Sequence, residues 1–213
     1  MKISGKDLLL YAITDRTWLN GGSLLSQVEE VLKNGATFLQ LREKNLSYNE
    51  LVEEAVQIKE IAARYNVPFV INDDIYAAKE AGADGVHIGQ DDASYIKARE
   101  VLGDGKIIGM TAHNLKEALA AQKAGADYIG TGAVFPTSTK HDTIPLPLDR
   151  LREITDNIQI PVVAIGGINH KNILSLKGSG IDGAAVISAI FAQEDVGLAT
   201  AEMLNLCREV VNG

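Results

Sequence analysis

The chain has only one cysteine, Cys207, and only five prolines among 213 residues. One cysteine excludes an intrachain disulfide and a cysteine-based metal cluster, and it favours the reducing cytoplasm as the compartment. No apolar run approaches the roughly 18 residues of a membrane-spanning helix, and the run at 8–13 is too short for a signal peptide. We therefore expect a cytoplasmic protein that does not enter a membrane.

Basic residues are also scarce: 20 lysines and arginines stand against 28 acidic residues, which gives a net charge of −8. Such a chain repels a nucleic-acid backbone on average, and its few aromatic residues are too scattered for base stacking. We expect no nucleic-acid partner. An anionic small molecule would have to be held by a few well-placed cations, a metal ion or backbone N–H groups.

What the chain does have is an internal repeat. Four segments share a helix end, a glycine and a short apolar stretch, and the shared glycines are Gly35, Gly82, Gly125 and Gly180. Their spacing is too long for one βα unit and suits two. Further apolar segments rich in β-branched residues lie between them and supply the remaining strands, at residues 8–14, 68–72, 106–111 and 161–166.

Eight strands that alternate with helices predict a single (β/α)8 barrel domain over residues 1–213. Their nearly continuous apolar character is typical of strands buried on both faces, as in a parallel sheet. An open, doubly wound sheet is the alternative. Because barrel enzymes hold their active site at the carboxyl ends of the strands, the polar residues at those positions are the candidates for the site.

The second strand ends in an amide and two cations. Gln40, Arg42 and Lys44 share one face of the strand because side chains alternate. Together they could bind an anion. The alternative is a solvated charged rim in which Arg42 pairs with a carboxylate.

The third and fourth strands each end in two carboxylates, Asp73 and Asp74 in one case, Asp91 and Asp92 in the other. Hard oxygen ligands of this kind suit Mg2+. Aspartate is also a common helix N-cap. We expect one aspartate of each pair to cap a helix and the other to bind the metal ion.

The remaining strand ends offer hydroxyls, one lysine and backbone amides. The irregular segment 133–147, which contains Thr137, Thr139 and Lys140, is typical of a lid over a ligand. The last two strands end in Gly166-Gly167 and Ile187-Ser188, where these barrels commonly bind phosphate. Two facing anion sites predict a transferase that releases diphosphate. His87, within an apolar strand end, is interpreted as a structural histidine and not as a base.

Six motifs, in order, resemble the thiamine-phosphate synthase family over about residues 8–190. They are Tyr11-Ala12-Ile13-Thr14-Asp15, Gln40-Leu41-Arg42-Glu43-Lys44, Ile71-Asn72-Asp73-Asp74, His87-Ile88-Gly89-Gln90-Asp91-Asp92, Pro136-Thr137-Ser138-Thr139-Lys140 and Ile165-Gly166-Gly167-Ile168. The resemblance implies a (β/α)8 barrel that joins 4-amino-2-methyl-5-hydroxymethylpyrimidine diphosphate (the pyrimidine diphosphate) to 4-methyl-5-(2-hydroxyethyl)thiazole phosphate (the thiazole phosphate) and releases diphosphate.

The same resemblance implies a role for individual residues. Mg2+ would be held by Asp73 and Asp92. The catalytic residues would be Arg42, Lys44 and Lys140, which stabilise the charge gathering on the leaving group. The pyrimidine diphosphate would contact Gln40, Arg42, Lys44, Asn72, Thr111 and Lys140. The thiazole phosphate would contact Thr137, Thr139, Gly167, Ile187 and Ser188. Thr111 stands where serine is common in the family, and Ala133 where proline is common.

Three other functions remain open at this point. A thiazole tautomerase-like isomerase of a similar barrel and a sugar-phosphate epimerase would each need acid–base residues, and no compelling base is evident. A non-catalytic barrel that only binds a thiamine precursor should have lost the cations or carboxylates, which are present here. The oligomeric state cannot be predicted from these patterns.

Overall fold

The computed structural model describes residues 3–19, 21–89, 95–137 and 145–213. Eight parallel strands close into a barrel in chain order, and β8 pairs with β1. The strands are β1 (Leu10–Ile13), β2 (Phe38–Leu41), β3 (Phe69–Asn72), β4 (Gly85–Ile88), β5 (Ile107–Ala112), β6 (Tyr128–Gly132), β7 (Val162–Ile165) and β8 (Gly183–Val186). The predicted (β/α)8 barrel is confirmed, and the open sheet is wrong because no edge is left between β1 and β8.

Helices surround the barrel. They are α1 (Leu24–Lys33), α2 (Tyr48–Tyr65), α3 (Ile75–Glu80), α4 (Tyr95–Leu102), α5 (Leu115–Ala124), α6 (Leu148–Asn157), α7 (Ser188–Phe191) and α8 (Val196–Val211). The connection from β7 to β8 departs from this pattern, since it holds only a 3-10 helix, Ile173–Leu176, followed by a turn with two glycines at positive φ, Gly178 and Gly180. In the part of the chain that is described, no helix combines the length and apolar character needed to cross a membrane.

The internal repeat has a physical meaning at the amino end of the barrel. Two residues after each shared glycine, a side-chain oxygen accepts a hydrogen bond from a backbone N–H at the start of the preceding strand. In the last repeat, the Asp182 carboxylate accepts from the Val162 N–H at 2.8 Å, and the Asp182 N–H donates to the Val162 carbonyl at 2.8 Å. The other repeats make the same double contact, through Thr37 with Leu10, Asp84 with Phe69 and Asp127 with Ile108. Each repeat therefore ties an odd-numbered strand to the next even-numbered one.

The barrel interior is packed with large side chains. Tyr11, Phe38 and Tyr128 form a cluster of edge-to-face rings, with 4.6 Å between the centroids of Tyr11 and Phe38 and 5.5 Å between those of Phe38 and Tyr128. Gly109 makes room for this cluster, because a Cβ atom there would lie 2.1 Å from the Tyr128 ring. This packing closes the barrel below the carboxyl ends of the strands.

Candidate active site

A cavity opens at the carboxyl ends of the strands, and all eight strands contribute residues to its walls. Most of the site residues predicted from the sequence line it. They are Gln40, Arg42, Asn72, Thr111, Thr137, Gly167, Ile187 and Ser188. Lys44 and Asp73 follow β2 and β3 at the same end of the barrel without lining this cavity. Asp92, Thr139 and Lys140 lie outside the described residues.

The end of β2 presents a cation to the cavity. The Arg42 backbone N–H donates to the buried Thr14 hydroxyl at 3.0 Å, which holds the strand end against β1. Its guanidinium has no ion-pair partner among the residues that are described, whereas the adjacent Glu43 pairs with Arg16 at 2.9 Å. Burial raises the pKa of the Glu43 carboxyl, and Arg16 acts in the opposite direction. Within the described part of the chain, Arg42 is thus not used in a charged rim.

The two aspartates after β3 have different surroundings. Asp74 caps α3, since its carboxylate accepts from the Ala77 N–H at 2.8 Å. Asp73 has a left-handed backbone, with φ of 65°, and its N–H donates to the His87 carbonyl at 2.9 Å. Its carboxylate accepts a hydrogen bond from the Asn72 amide. One aspartate of the pair therefore caps a helix, and the other does not cap α3.

The donor chemistry at Asp73 is compatible with Mg2+. Within the described residues, no three histidine, cysteine or acidic side chains group together as a metal site. Mg2+ at phosphate sites, however, is usually held by one or two carboxylates together with waters and substrate oxygens. Asp73 has a carboxylate of this kind at the carboxyl end of β3, and the second expected ligand, Asp92, is outside the described residues.

A glycine turn follows β7 beside the segment that leaves β6. The Val134 and Phe135 N–H groups donate to the carbonyls of Ile165 and Gly166 at 3.0 and 3.1 Å, so the two chains continue side by side beyond the barrel. Gly167 has φ of 64°, and a Cβ atom there would lie 2.3 Å from the Pro136 carbonyl oxygen. Only glycine fits this position without moving the β6 segment.

The turn after β8 completes this wall of the cavity. Ile187 precedes α7, and Ser188 is the first residue of that helix. The first N–H groups of a helix have no acceptor within it, which makes such a turn suited to an anion. Within the connection that follows β7, the Asn172 amide donates to the Gly167 carbonyl at 2.8 Å and so restrains the glycine turn.

Sequence reasoning missed a set of polar side chains at the bottom of the cavity. The Gln40 amide donates to the Tyr11 hydroxyl, which lies 2.8 Å from the Tyr128 hydroxyl. His87 Nδ1 lies 2.9 Å from the Tyr128 hydroxyl, and His87 Nε2 lies 3.1 Å from the Thr111 hydroxyl. His87 is hydrogen-bonded, as interpreted, but it also lines the cavity together with Tyr11. The inward-facing register of β1, β4 and β6 was the signal that could have grouped them.

The fold and the cavity define a (β/α)8-barrel enzyme with its site at the carboxyl ends of the strands. A family model described as thiamine monophosphate synthase matches residues 10–190, and the chain belongs to that family. The thiamine-phosphate synthase of Clostridium novyi (strain NT) is 50% identical over 198 residues, which are 92% of this chain and 97% of the relative. That of Persephonella marina (strain DSM 14350 / EX-H1) is 43% identical over 200 residues, or 94% and 96% of the two chains.

A solved structure gives the same result. The thiamine phosphate pyrophosphorylase from Pyrococcus furiosus superposes with a TM-score of 0.90 at 40% sequence identity. The match covers 97% of this chain and 98% of the other. The likeness therefore extends over the whole barrel.

Proposed function

We propose that the protein is a thiamine-phosphate synthase, which joins the pyrimidine diphosphate to the thiazole phosphate and releases diphosphate. One observation carries this proposal. The protein belongs to the family, and its cavity brings together eight of the residues to which the family resemblance assigns a substrate contact. These residues come from strand ends far apart in the sequence. They fall into two groups on opposite walls, as two substrates require.

The reaction balances without a protein base. The bond between the pyrimidine methylene carbon and the diphosphate oxygen breaks, and its electron pair leaves with diphosphate. The amino group of the ring donates electrons towards the carbon, and the thiazole nitrogen then uses its lone pair to form the new C–N bond. No proton moves in these steps. A tautomerase or an epimerase needs an acid–base residue, so the family membership and the cavity favour the synthase.

Cations at the β2 wall act on the leaving group in this proposal. Arg42 lines the cavity and has no ion-pair partner within the described residues, so its charge is available to diphosphate. Lys44 is exposed two residues further on. We assign Lys140, which lies outside the described residues, to the same group on the basis of the family resemblance. These three stabilise the negative charge that develops as the C–O bond breaks. Gln40, Asn72 and Thr111 contact the pyrimidine diphosphate from β2, β3 and β5.

The opposite wall takes the thiazole phosphate. Gly167 and Ser188 offer backbone N–H groups at the turns after β7 and β8, and Ile187 lies between them. Thr137 adds a hydroxyl from the segment after β6, and Thr139 is assigned with it. Binding by backbone amides needs no positive side chain, which is consistent with the acidic composition of the protein.

Asp73 and Asp92 would hold Mg2+ in this proposal. The ion supplies positive charge that offsets the charge of diphosphate. The family resemblance names both residues, and the separate use of Asp74 as the α3 cap supports Asp73 as the ligand. We place the reaction in the cytoplasm, because the single thiol, Cys207, is buried and free, as is common in a reducing compartment.

A direct assay tests the proposal. The purified protein is mixed with both substrates and Mg2+, and the products are identified by mass spectrometry. We expect thiamine phosphate and diphosphate in equal amounts, and neither when one substrate is omitted. Conversion of a thiazole substrate alone would identify the tautomerase, and binding of both substrates without product would identify a non-catalytic barrel.

A further inference from the structure

A row of five polar side chains crosses the barrel interior between β2 and β5. Gln40 stands at one end and Thr111 at the other, and both line the cavity. Tyr11, Tyr128 and His87 connect them through the contacts described above, with separations of 2.8 Å between the two tyrosine hydroxyls, 2.9 Å from Tyr128 to His87 and 3.1 Å from His87 to Thr111. Two residues assigned to one substrate are therefore joined by three that have no assigned role.

The two tyrosines in the middle of this row are buried. Tyr11 is 2% exposed and Tyr128 is fully buried. Their rings pack in the apolar cluster that contains Phe38, Val70 and Val163. Burial raises the pKa of both tyrosines well above the ordinary value, so both hydroxyls keep their protons. A buried hydroxyl without an acceptor is strongly unfavourable, and each proton must therefore find its acceptor within the row.

This requirement leaves two consistent orders of donors. In the first, Gln40 Nε2–H donates to Tyr11, Tyr11 to Tyr128, Tyr128 to His87 Nδ1, and His87 Nε2–H to Thr111. In the second, every bond is reversed and the Gln40 carbonyl oxygen accepts from Tyr11. The amide nitrogen of Gln40 faces Tyr11 in the structure, which selects the first order. Mixed orders leave either one tyrosine proton without an acceptor in the row or the 2.8 Å contact between the two tyrosine hydroxyls without a proton.

We propose that Tyr11, Tyr128 and His87 are positioning residues that act as one ordered chain of donors and fix the Gln40 amide and the Thr111 hydroxyl against the pyrimidine ring. The proposal rests on the proposed function. With its nitrogen bound to Tyr11, Gln40 offers its carbonyl oxygen to a ligand, and Thr111, which accepts from His87, directs its own proton elsewhere. An acceptor on β2 and a donor on β5 complement an aminopyrimidine, whose amino group donates and whose ring nitrogen accepts.

Tyr128→Phe tests the proposal because it removes the central hydroxyl and keeps the ring. Binding is measured by calorimetry with Mg2+ and two probes, the pyrimidine diphosphate and inorganic diphosphate. We expect affinity for the pyrimidine diphosphate to fall about tenfold, as for one lost buried hydrogen bond. Inorganic diphosphate lacks the ring, so its affinity and the KM for the thiazole phosphate should not change. Equal losses for both probes, or no loss, would overturn the proposal.

Two further variants separate positioning from general damage. Tyr11→Phe breaks the row one step nearer Gln40 and should show the same selective loss, even if Tyr128→Phe fails to fold. Thr200→Val is the matched control, because it removes a buried hydroxyl that donates to the Val196 carbonyl at 2.6 Å within α8, away from the cavity. It should leave the affinities for both probes unchanged. A selective loss in Thr200→Val would argue against the row as the cause.

The order of donors along the row can be measured separately. The 15N chemical shifts of the His87 ring in the wild-type protein distinguish a proton on Nε2 from one on Nδ1, and we expect it on Nε2. A proton on Nδ1 would overturn the proposed order. If the wild-type protein forms no thiamine phosphate, the proposed function fails. If it does form the product while Tyr128→Phe binds the pyrimidine diphosphate normally, only the present inference fails.

Discussion

The Asp74 carboxylate accepts a 2.8 Å hydrogen bond from the Ala77 backbone N–H and so caps α3. The cap is therefore supplied by Asp74, the second aspartate after β3, and not by Asp73. Asp73 also has a backbone φ of 65°, which non-glycine residues adopt infrequently. A left-handed residue at the end of a barrel strand is a position where backbone strain often accompanies function.

Asp73→Asn should lower turnover by two or more orders of magnitude. Asparagine keeps the size and hydrogen-bonding capacity of the side chain but removes the charge that would hold Mg2+, and several kcal/mol of charge stabilisation are lost. Raised Mg2+ should restore part of the activity by mass action. The measurement is steady-state turnover against Mg2+ concentration in the wild type and the variant.

Asp74→Asn is the control for this pair, because asparagine is an equally good N-cap. It should retain near-normal turnover and an unchanged Mg2+ dependence. If Asp73→Asn behaved in the same way as Asp74→Asn, the metal-binding role of Asp73 would be wrong.

Gly167→Ala should weaken the thiazole phosphate site selectively. The new Cβ would collide with the Pro136 carbonyl oxygen and push away the segment that carries Thr137. We expect the KM for the thiazole phosphate to rise about tenfold or more, equivalent to roughly 1.4 kcal/mol, with a smaller change for the pyrimidine diphosphate. Initial rates at varied concentrations of each substrate measure both effects.

Gly82→Ala provides a matched comparison for the backbone. Gly82 has nearly the same φ, 66° against 64°, but a Cβ atom there meets nothing within 4 Å. Both variants carry the strain of a left-handed alanine, about 1 kcal/mol. Only Gly167→Ala should change a KM, and an equal change in Gly82→Ala would assign the effect to general destabilisation.

Lys140→Ala should reduce kcat more than it raises the KM for the pyrimidine diphosphate. In the proposed reaction the lysine is needed most when charge develops on departing diphosphate, and an interaction made mainly in the transition state appears in kcat. Lys123→Ala removes an exposed lysine at the end of α5 and should leave both constants unchanged. Wild-type kcat in Lys140→Ala would exclude the lysine from the chemistry.

The barrel could be predicted from the sequence because its repeat is local. Each glycine, its following Thr37, Asp84, Asp127 or Asp182 and the next apolar strand lie within one short segment, and eight such strands close in only a few ways. The location of the site at the strand ends could be predicted for a similar reason, since the carboxyl ends of parallel strands all lie at the same end of the barrel. The 3-10 helix between β7 and β8 was missed because its four residues are too few to show helical periodicity.

The row from Gln40 to Thr111 could not be predicted in this way. Tyr11 and Tyr128 are 117 residues apart, and their contact depends on the barrel closing and on Gly109 leaving space for a ring. A sequence shows which side chains face inward, but it does not show which of them meet across the interior. The sequence likewise did not show which aspartate caps α3, because that depends on the local backbone: Asp74 is extended, whereas Asp73 is left-handed.

Asp182→Ala should lower the free energy of unfolding by about 1–3 kcal/mol, because it leaves the N–H of the buried Val162 without its side-chain acceptor. Asp182→Asn keeps an acceptor oxygen and should lose less. Asp104→Ala, in an exposed turn, is the control and should stay within about 0.5 kcal/mol of the wild type. Urea denaturation measures all three. If Asp182→Ala and Asp104→Ala were equally stable, the contact between Asp182 and the Val162 N–H would not contribute to the stability of the fold.

Cys207 gives a prediction for alkaline pH. The thiol is 1% exposed on α8, and burial raises its pKa from 9.0 to about 12. Above pH 9 the unfolded chain releases this proton while the folded chain keeps it, so folding binds a proton and stability falls as pH rises. Because of this thiol, the free energy of unfolding should fall by about 1.4 kcal/mol per pH unit between pH 9 and 12, and it should not change well below pH 9.

Cys207→Ala isolates this effect because alanine does not titrate. The variant is less stable than the wild type at pH 8, since it leaves a cavity. That difference should shrink by about 2 kcal/mol between pH 9 and 10.5 as the wild type loses its advantage. Tyr11 and Tyr128, whose pKa values burial also raises, are present in both proteins and cancel in the comparison. Urea denaturation under reducing conditions at pH 8, 9 and 10.5 measures the difference, and a constant value across that range would show that the Cys207 thiol ionises as readily in the folded protein as in the unfolded chain.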